Sequence, residues 1–177
     1  MLKGRIVNWR WRADSAGLAE GTSMTEKITA RAAPHAESQR QAQISMAQMG
    51  VDAAFIDRLV ETFYGRIQQH ETLGPVFERR LAGRWADHMA KMKGFWSAIA
   101  FKTGAYGGKP VQAHYGMDGL NEALFAQWLE LFSQTLRDIA PNHETHDWFM
   151  ATAERIARSL MLSLFYNPAL DDPARKR

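Results

Sequence analysis

Four residues of this 177-residue chain combine side-chain type and spacing in a way that could serve a bound group: Tyr64, His88, His114 and Trp128. The chain has no cysteine, which excludes disulfides and thiolate metal sites and leaves histidine, present six times, as the nitrogen ligand. His88 follows Trp85 by three residues and precedes Met92 by four, so it shares their apolar stripe. A lone histidine there is ordinarily a satisfied core or rim residue. His114 stands in "GAYGGKPVQAHYGMDGL" (104–120) among five glycines and one proline, and alone would read as surface. The pair says more. The two lie 26 positions apart (114 − 88), one on a helical pattern and one beyond a flexible crossover, so their rings could face each other across a gap. Tyr64 and Trp128, polar-tipped aromatics on two other apolar stripes, could line it, and a buried Tyr or Trp normally needs a hydrogen-bond partner.

Other chemistries fail on inspection. "GGKP" would need glycine at 103 and Ser or Thr at 110 to be a phosphate loop, and the chain has Thr103 and Pro110. The Glu-x-x-His pairs of a di-iron bundle are absent, as are HExxH and GxSxG. His143 and His146 are three apart, but Asn142, Glu144 and Asp147 around them read better as a solvated helix start.

The elements that must hold these residues are helical. Val51, Phe55, Leu59, Phe63 and Ile67 recur every fourth residue after Asp52, a natural N-cap, and predict an amphipathic helix to about His70. The stretch "LGPVF" is expected to be the turn that stops it. A second helix is predicted from about Arg84 to Phe101, with Trp85, His88, Met92, Phe95, Trp96 and Ile99 on one stripe. After the glycine-rich crossover come a third, about Asn121–Ala140, ended by Pro141, and a fourth, about Thr145–Tyr166. No stretch alternates with period two for long, so the fold class is all-α.

Residues 1–50 are rich in Ala, Gln, Ser and Thr and read as a mostly disordered extension, with a short helix in "ESQRQAQISMAQM". Met24 is as plausible a translation start as Met1. The folded domain is expected over 51–166, with 167–177 as a tail. The sequence pI of 9.3 invites a nucleic-acid reading. The four basic residues at the start and three at the end exceed the net +3 by four, so the body between them sits near −4. A nucleic-acid face would need that excess on the body. No apolar run is long enough to span a bilayer and no signal-peptide core follows the basic N-terminus, so a cytoplasmic protein without a membrane partner is expected.

At these residues the chain resembles the group III truncated haemoglobins. The matching stretches are "LVETFYGRI" (59–67), "LGPVF" (73–77), "WADHMAKMKGFW" (85–96), "YGGKPVQAH" (106–114) and "LFAQWLELF" (124–132), in order and over about 51–166. The resemblance implies a two-on-two helical sandwich around haem b, with its iron tethered by His114 through a neutral imidazole whose other nitrogen donates to a backbone carbonyl. It places Tyr64, His88 and Trp128 on the opposite side, Tyr64 and Trp128 as hydrogen-bond donors to bound dioxygen and His88 to gate access from solvent or to bind water. Phe63, Phe77, Met92, Phe95 and Trp96 would wall the haem, and Lys91 would pair with a propionate. The implied ligands are dioxygen, nitric oxide and carbon monoxide, with nitric oxide dioxygenase or peroxidase-like chemistry and an electron-donating reductase behind it. The alternative is a haem-less or haem-sensing globin module in signalling or protein interaction.

Overall fold

In the computed structural model the backbone is described over residues 24–166, and the side chains from residue 34 onward. Seven α-helices and no strand occur among these residues: α1 (Met24–Gln48), α2 (Ala53–Gln69), α3 (Leu73–Leu81), α4 (Trp85–Ala100), α5 (Pro110–His114), α6 (Glu122–Ile139) and α7 (His143–Phe165). By internal contacts the chain divides after Pro34, and the unit that begins at His35 holds the end of α1 and all of α2–α7. The expected tail, 167–177, and the first 23 residues of the expected extension lie outside the described residues.

Short-range rules set the helix starts. The Asp52, Asn121 and Asn142 side chains accept the backbone N–H of Phe55, Leu124 and Thr145, the third residue onward in each case. Each satisfies one of the donors a helix N-terminus leaves unpaired, a contribution of about 1 kcal/mol.

Packing then joins α2 to α3, α4 and α6, and α6 to α7, which gives the paired layers of a two-on-two sandwich. Phe63 of α2 is its aromatic hub, with Tyr64, Trp128 and Phe132 each 5.0–5.1 Å away between ring centroids and edge-on. Such contacts contribute about 0.5–1.5 kcal/mol each beyond the area they bury.

Three local expectations need correction. "LGPVF" is not a turn but the start of α3. Pro75 falls in its first turn, where a missing N–H costs nothing, and His70 Nδ1 accepts the N–H groups of Thr72 and Leu73, each at 3.2 Å. The crossover is not loop throughout, because α5 adds a short helical turn with His114 as its last residue. The helix expected over 37–49 begins at Met24 instead. Near its far end only Ala42 and Met46, with Met49 just beyond it, are buried, too sparse a stripe to read from sequence. Thr145 Oγ1 and Asn142 Nδ2 donate to the Met49 carbonyl at 2.6 and 3.2 Å and pin the α1–α2 junction to the start of α7.

Candidate functional site

Tyr64 projects from α2, His88 from α4 and His114 from the end of α5. The Tyr64 and His88 rings meet edge-on at 4.9 Å, and Phe77 of α3 lies within 6.1 Å of the first and 6.4 Å of the second. His114 is close enough for its charge to act on His88.

The polar atoms there are unusual. His88 Nε2 is buried without a hydrogen-bond partner. The Tyr64 hydroxyl, on a residue only 4% exposed, also finds none among the described residues. Burial pushes its pKa upward, with the Tyr106 phenol adding to the effect, so it stays a protonated donor. His114 Nδ1 lies 2.8 Å from the Pro110 carbonyl. Since a carbonyl can only accept, Nδ1 carries the proton and Nε2 keeps its lone pair for a metal.

Burial first, then the Lys91 and His114 charges, lowers the His88 pKa from 6.5 to about 4. The unfolded chain therefore binds more protons than the folded one between these values. The stability contributed by neutral His88 is complete above about pH 6.5 and lost as pH falls toward 4. At full burial the lowering would amount to about 3 kcal/mol; with the ring partly open to solvent, about 1–2 kcal/mol is expected. Urea unfolding of the apoprotein at pH 7 and pH 4.5 should show wild type losing that much more stability than His88→Gln. Equal losses would mean that the ring is not desolvated as described.

The remaining predicted residues divide. Phe63, Phe77, Met92 and Trp128 border the Tyr64–His88 pair or pack into the same core. Phe95 packs at 4.9 Å against Tyr106 of the crossover. Lys91 is exposed, one turn beyond His88. Trp96 faces inward, stacked at 5.3 Å on Phe132 and 5.3 Å from Phe149, so it supports the wall from behind. His143 and His146 are not brought together as ligands: His146 contacts Ser133 Oγ and Asp147, and no cluster of three metal-ligating side chains occurs among the described residues. Two surface cavities, of about 330 and 360 Å³, are lined by neither His88 nor His114.

Two contributors are not predicted by the sequence. Tyr106 reaches both Phe95 and the neighbourhood of Tyr64, and Gly108 makes this possible, since a Cβ there would overlap the Tyr106 ring. The Tyr-Gly-Gly run is the one local signal of it. Arg80 Nη2 of α3 donates to the Ala113 carbonyl at 3.2 Å and ties α3 to the turn that carries His114. Nothing local announces that bond.

The chemistry of these groups fits a planar cofactor with a central metal: an imidazole nitrogen not engaged by its neighbours, a buried polar atom without a partner, and aromatic rings beside it. No family model matches the chain. The curated group 3 truncated hemoglobin ctb of Campylobacter jejuni is 29% identical over 113 residues, which span 62% of this chain and 88% of that protein. The crystal structure of group III truncated hemoglobin from Campylobacter jejuni matches with a TM-score of 0.61 at 27% identity, over 65% of this chain and 92% of that one. The fold is that of a truncated globin. In sequence and structure alike, the chain is similar to the group III truncated haemoglobins.

Proposed function

We propose that this chain binds haem b in the gap between His88 and His114, with His114 as its protein ligand, and uses it to retain and convert dioxygen, nitric oxide and related diatomic ligands. The observation that carries the reading is the contrast between the two histidines: His114 Nδ1 is committed to the Pro110 carbonyl, while His88 Nε2 is buried and unpartnered. Haem would supply an iron able to coordinate a diatomic ligand and exchange an electron with it. The chain supplies the rest. His114 offers a neutral imidazole in a fixed tautomer. Tyr64 presents a protonated hydroxyl to the ligand side, and the Trp128 indole N–H is a second donor there. His88, neutral at pH 7, can donate from one ring nitrogen and accept at the other. Phe63, Phe77, Met92 and Phe95 keep water out, and Lys91 at the rim matches a carboxylate edge. Several donors around one small ligand favour holding it for reaction, such as oxidation of nitric oxide to nitrate or reduction of peroxide, over bulk carriage. Such a cycle needs an electron-donating reductase.

A haem-less module in signalling would have no use for unpartnered polar groups in a desolvated gap, where each costs about 1–3 kcal/mol. The test is direct. Full-length protein from haem-replete cells should carry one haem per chain and an intense Soret band, and the dioxygen-equilibrated ferrous protein should convert nitric oxide to nitrate within the mixing time of a stopped-flow instrument. A colourless protein would overturn the haem reading. A haem-bearing protein that leaves nitric oxide unconsumed would overturn the reaction while keeping the cofactor.

A further inference from the structure

Charge is distributed unevenly over the folded part. Between residues 78 and 118, which carry α3's end, α4, the crossover and α5, seven basic residues face three acidic ones, a local excess of four. Residues 51–77 hold two basic and four acidic residues, and 119–166 hold three and six. The positive charge is therefore gathered on the segment that carries both histidines.

Within that segment Lys93 is already paired with Asp57 and Glu61 of α2. Arg79, Arg80, Arg84, Lys91 and Lys109 are different: all five are exposed, and none takes part in an ion pair among the described residues. Arg79 and Arg80 are adjacent in α3, and the other three stand on or at the N-caps of α4 and α5. Arg84 is the N-cap residue of α4, one turn before His88, and Lys91 follows His88 by three residues. Arg84 donates to the Arg80 carbonyl, Arg80 donates to the Ala113 carbonyl beside His114, and Lys109 stands at the start of α5. The nearby acids do not cancel this. Glu78, which accepts the Trp85 indole N–H, Asp87 and Asp118 supply three negative charges, fewer than the five unpaired cations. The two carboxylates of a haem would lower the segment's excess from four to two.

We propose that this cationic face is a docking surface for a protein partner presenting a carboxylate-rich face. Charge complementarity identifies the occupant: an exposed field of one sign beside the site steers an oppositely charged protein and sets its orientation, while the segments 51–77 and 119–166, each net negative, repel it. A partner seated there lies against the edge of the proposed haem site. The inference goes beyond the haem reading and rests on charges present with or without the cofactor.

The experiment uses the full-length chain and flavodoxin, an acidic protein, as fluorescent probe, with cytochrome c as the basic control. Binding followed by anisotropy should weaken roughly tenfold between about 20 and 200 mM salt, as screening shortens the reach of exposed charges. Arg79→Glu combined with Lys109→Glu should weaken it at low salt by roughly tenfold, whereas Arg155→Glu combined with Arg158→Glu on α7, an identical change in net charge, should alter it less than twofold. Circular dichroism checks that the variants fold, and Arg79→Gln with Lys109→Gln replaces the first pair if it does not. Absence of flavodoxin binding, cytochrome c binding as tightly, or an equal loss in the α7 control would overturn the proposal. So would a DNA duplex that binds more tightly through the same residues, which would make the face a nucleic-acid site. A Soret spectrum of the same samples is read separately, so failure of the haem reading leaves the docking result standing.

Discussion

Replacing His114 with alanine should release haem roughly a hundredfold faster than wild type, or leave a five-coordinate spectrum that added imidazole restores. The magnitude follows from coordination chemistry: altering a group that merely orients a metal ligand typically costs ten- to a hundredfold, and here the ligand itself is removed. The structure makes the experiment clean, because α5 buries none of its residues and the loss of one imidazole should not unfold the chain. Circular dichroism should therefore match wild type while the Soret band falls. Imidazole rescue separates a missing ligand from a damaged pocket. If haem content and spectrum persist unchanged, His114 is not the tether and His88, across the same gap, becomes the candidate.

Tyr64→Phe should speed dioxygen release by roughly ten- to a hundredfold. A hydrogen bond to a charged group contributes about 1.5–3 kcal/mol, and tenfold corresponds to about 1.4 kcal/mol. Carbon monoxide, with less charge on its outer atom, should respond far less, whereas a packing defect would disturb both ligands. The apoprotein supplies a second readout. Tyr64 is only 4% exposed and its hydroxyl makes no hydrogen bond among the described residues, so its removal should change the stability of the apoprotein by no more than about 1 kcal/mol. The ring contacts with Phe63 at 5.1 Å and His88 at 4.9 Å remain available to phenylalanine. A dioxygen release rate within twofold of wild type would pass the donor role to Trp128, and an apoprotein much less stable than wild type would show that the hydroxyl has a structural partner.

Helices α2, α4, α6 and α7 are legible in the sequence to within two residues at nearly every end, because their causes are local. Apolar spacing sets the buried face, and Asp52, Asn121 and Asn142 cap donors three residues away. That His88 and His114 could serve one site is a reading of spacing alone, which puts two rings on separate elements and says nothing of their distance. The rest depends on packing between elements. Whether "LGPVF" turns or coils depends on His70 folding back to accept two N–H groups, and whether α1 persists depends on Met46 and Met49 finding the core. Trp96, which shares a stripe with His88, packs instead between Phe132 and Phe149, since a helix in a two-layer sandwich presents one stripe to two different surroundings. Tyr106 and Arg80 act across gaps of dozens of residues, where no local pattern reports a contact. The desolvation of His88 and Tyr64 is likewise a property of what other helices bring to them, because burial sums contributions from the whole fold while a sequence pattern reports only neighbours along the chain.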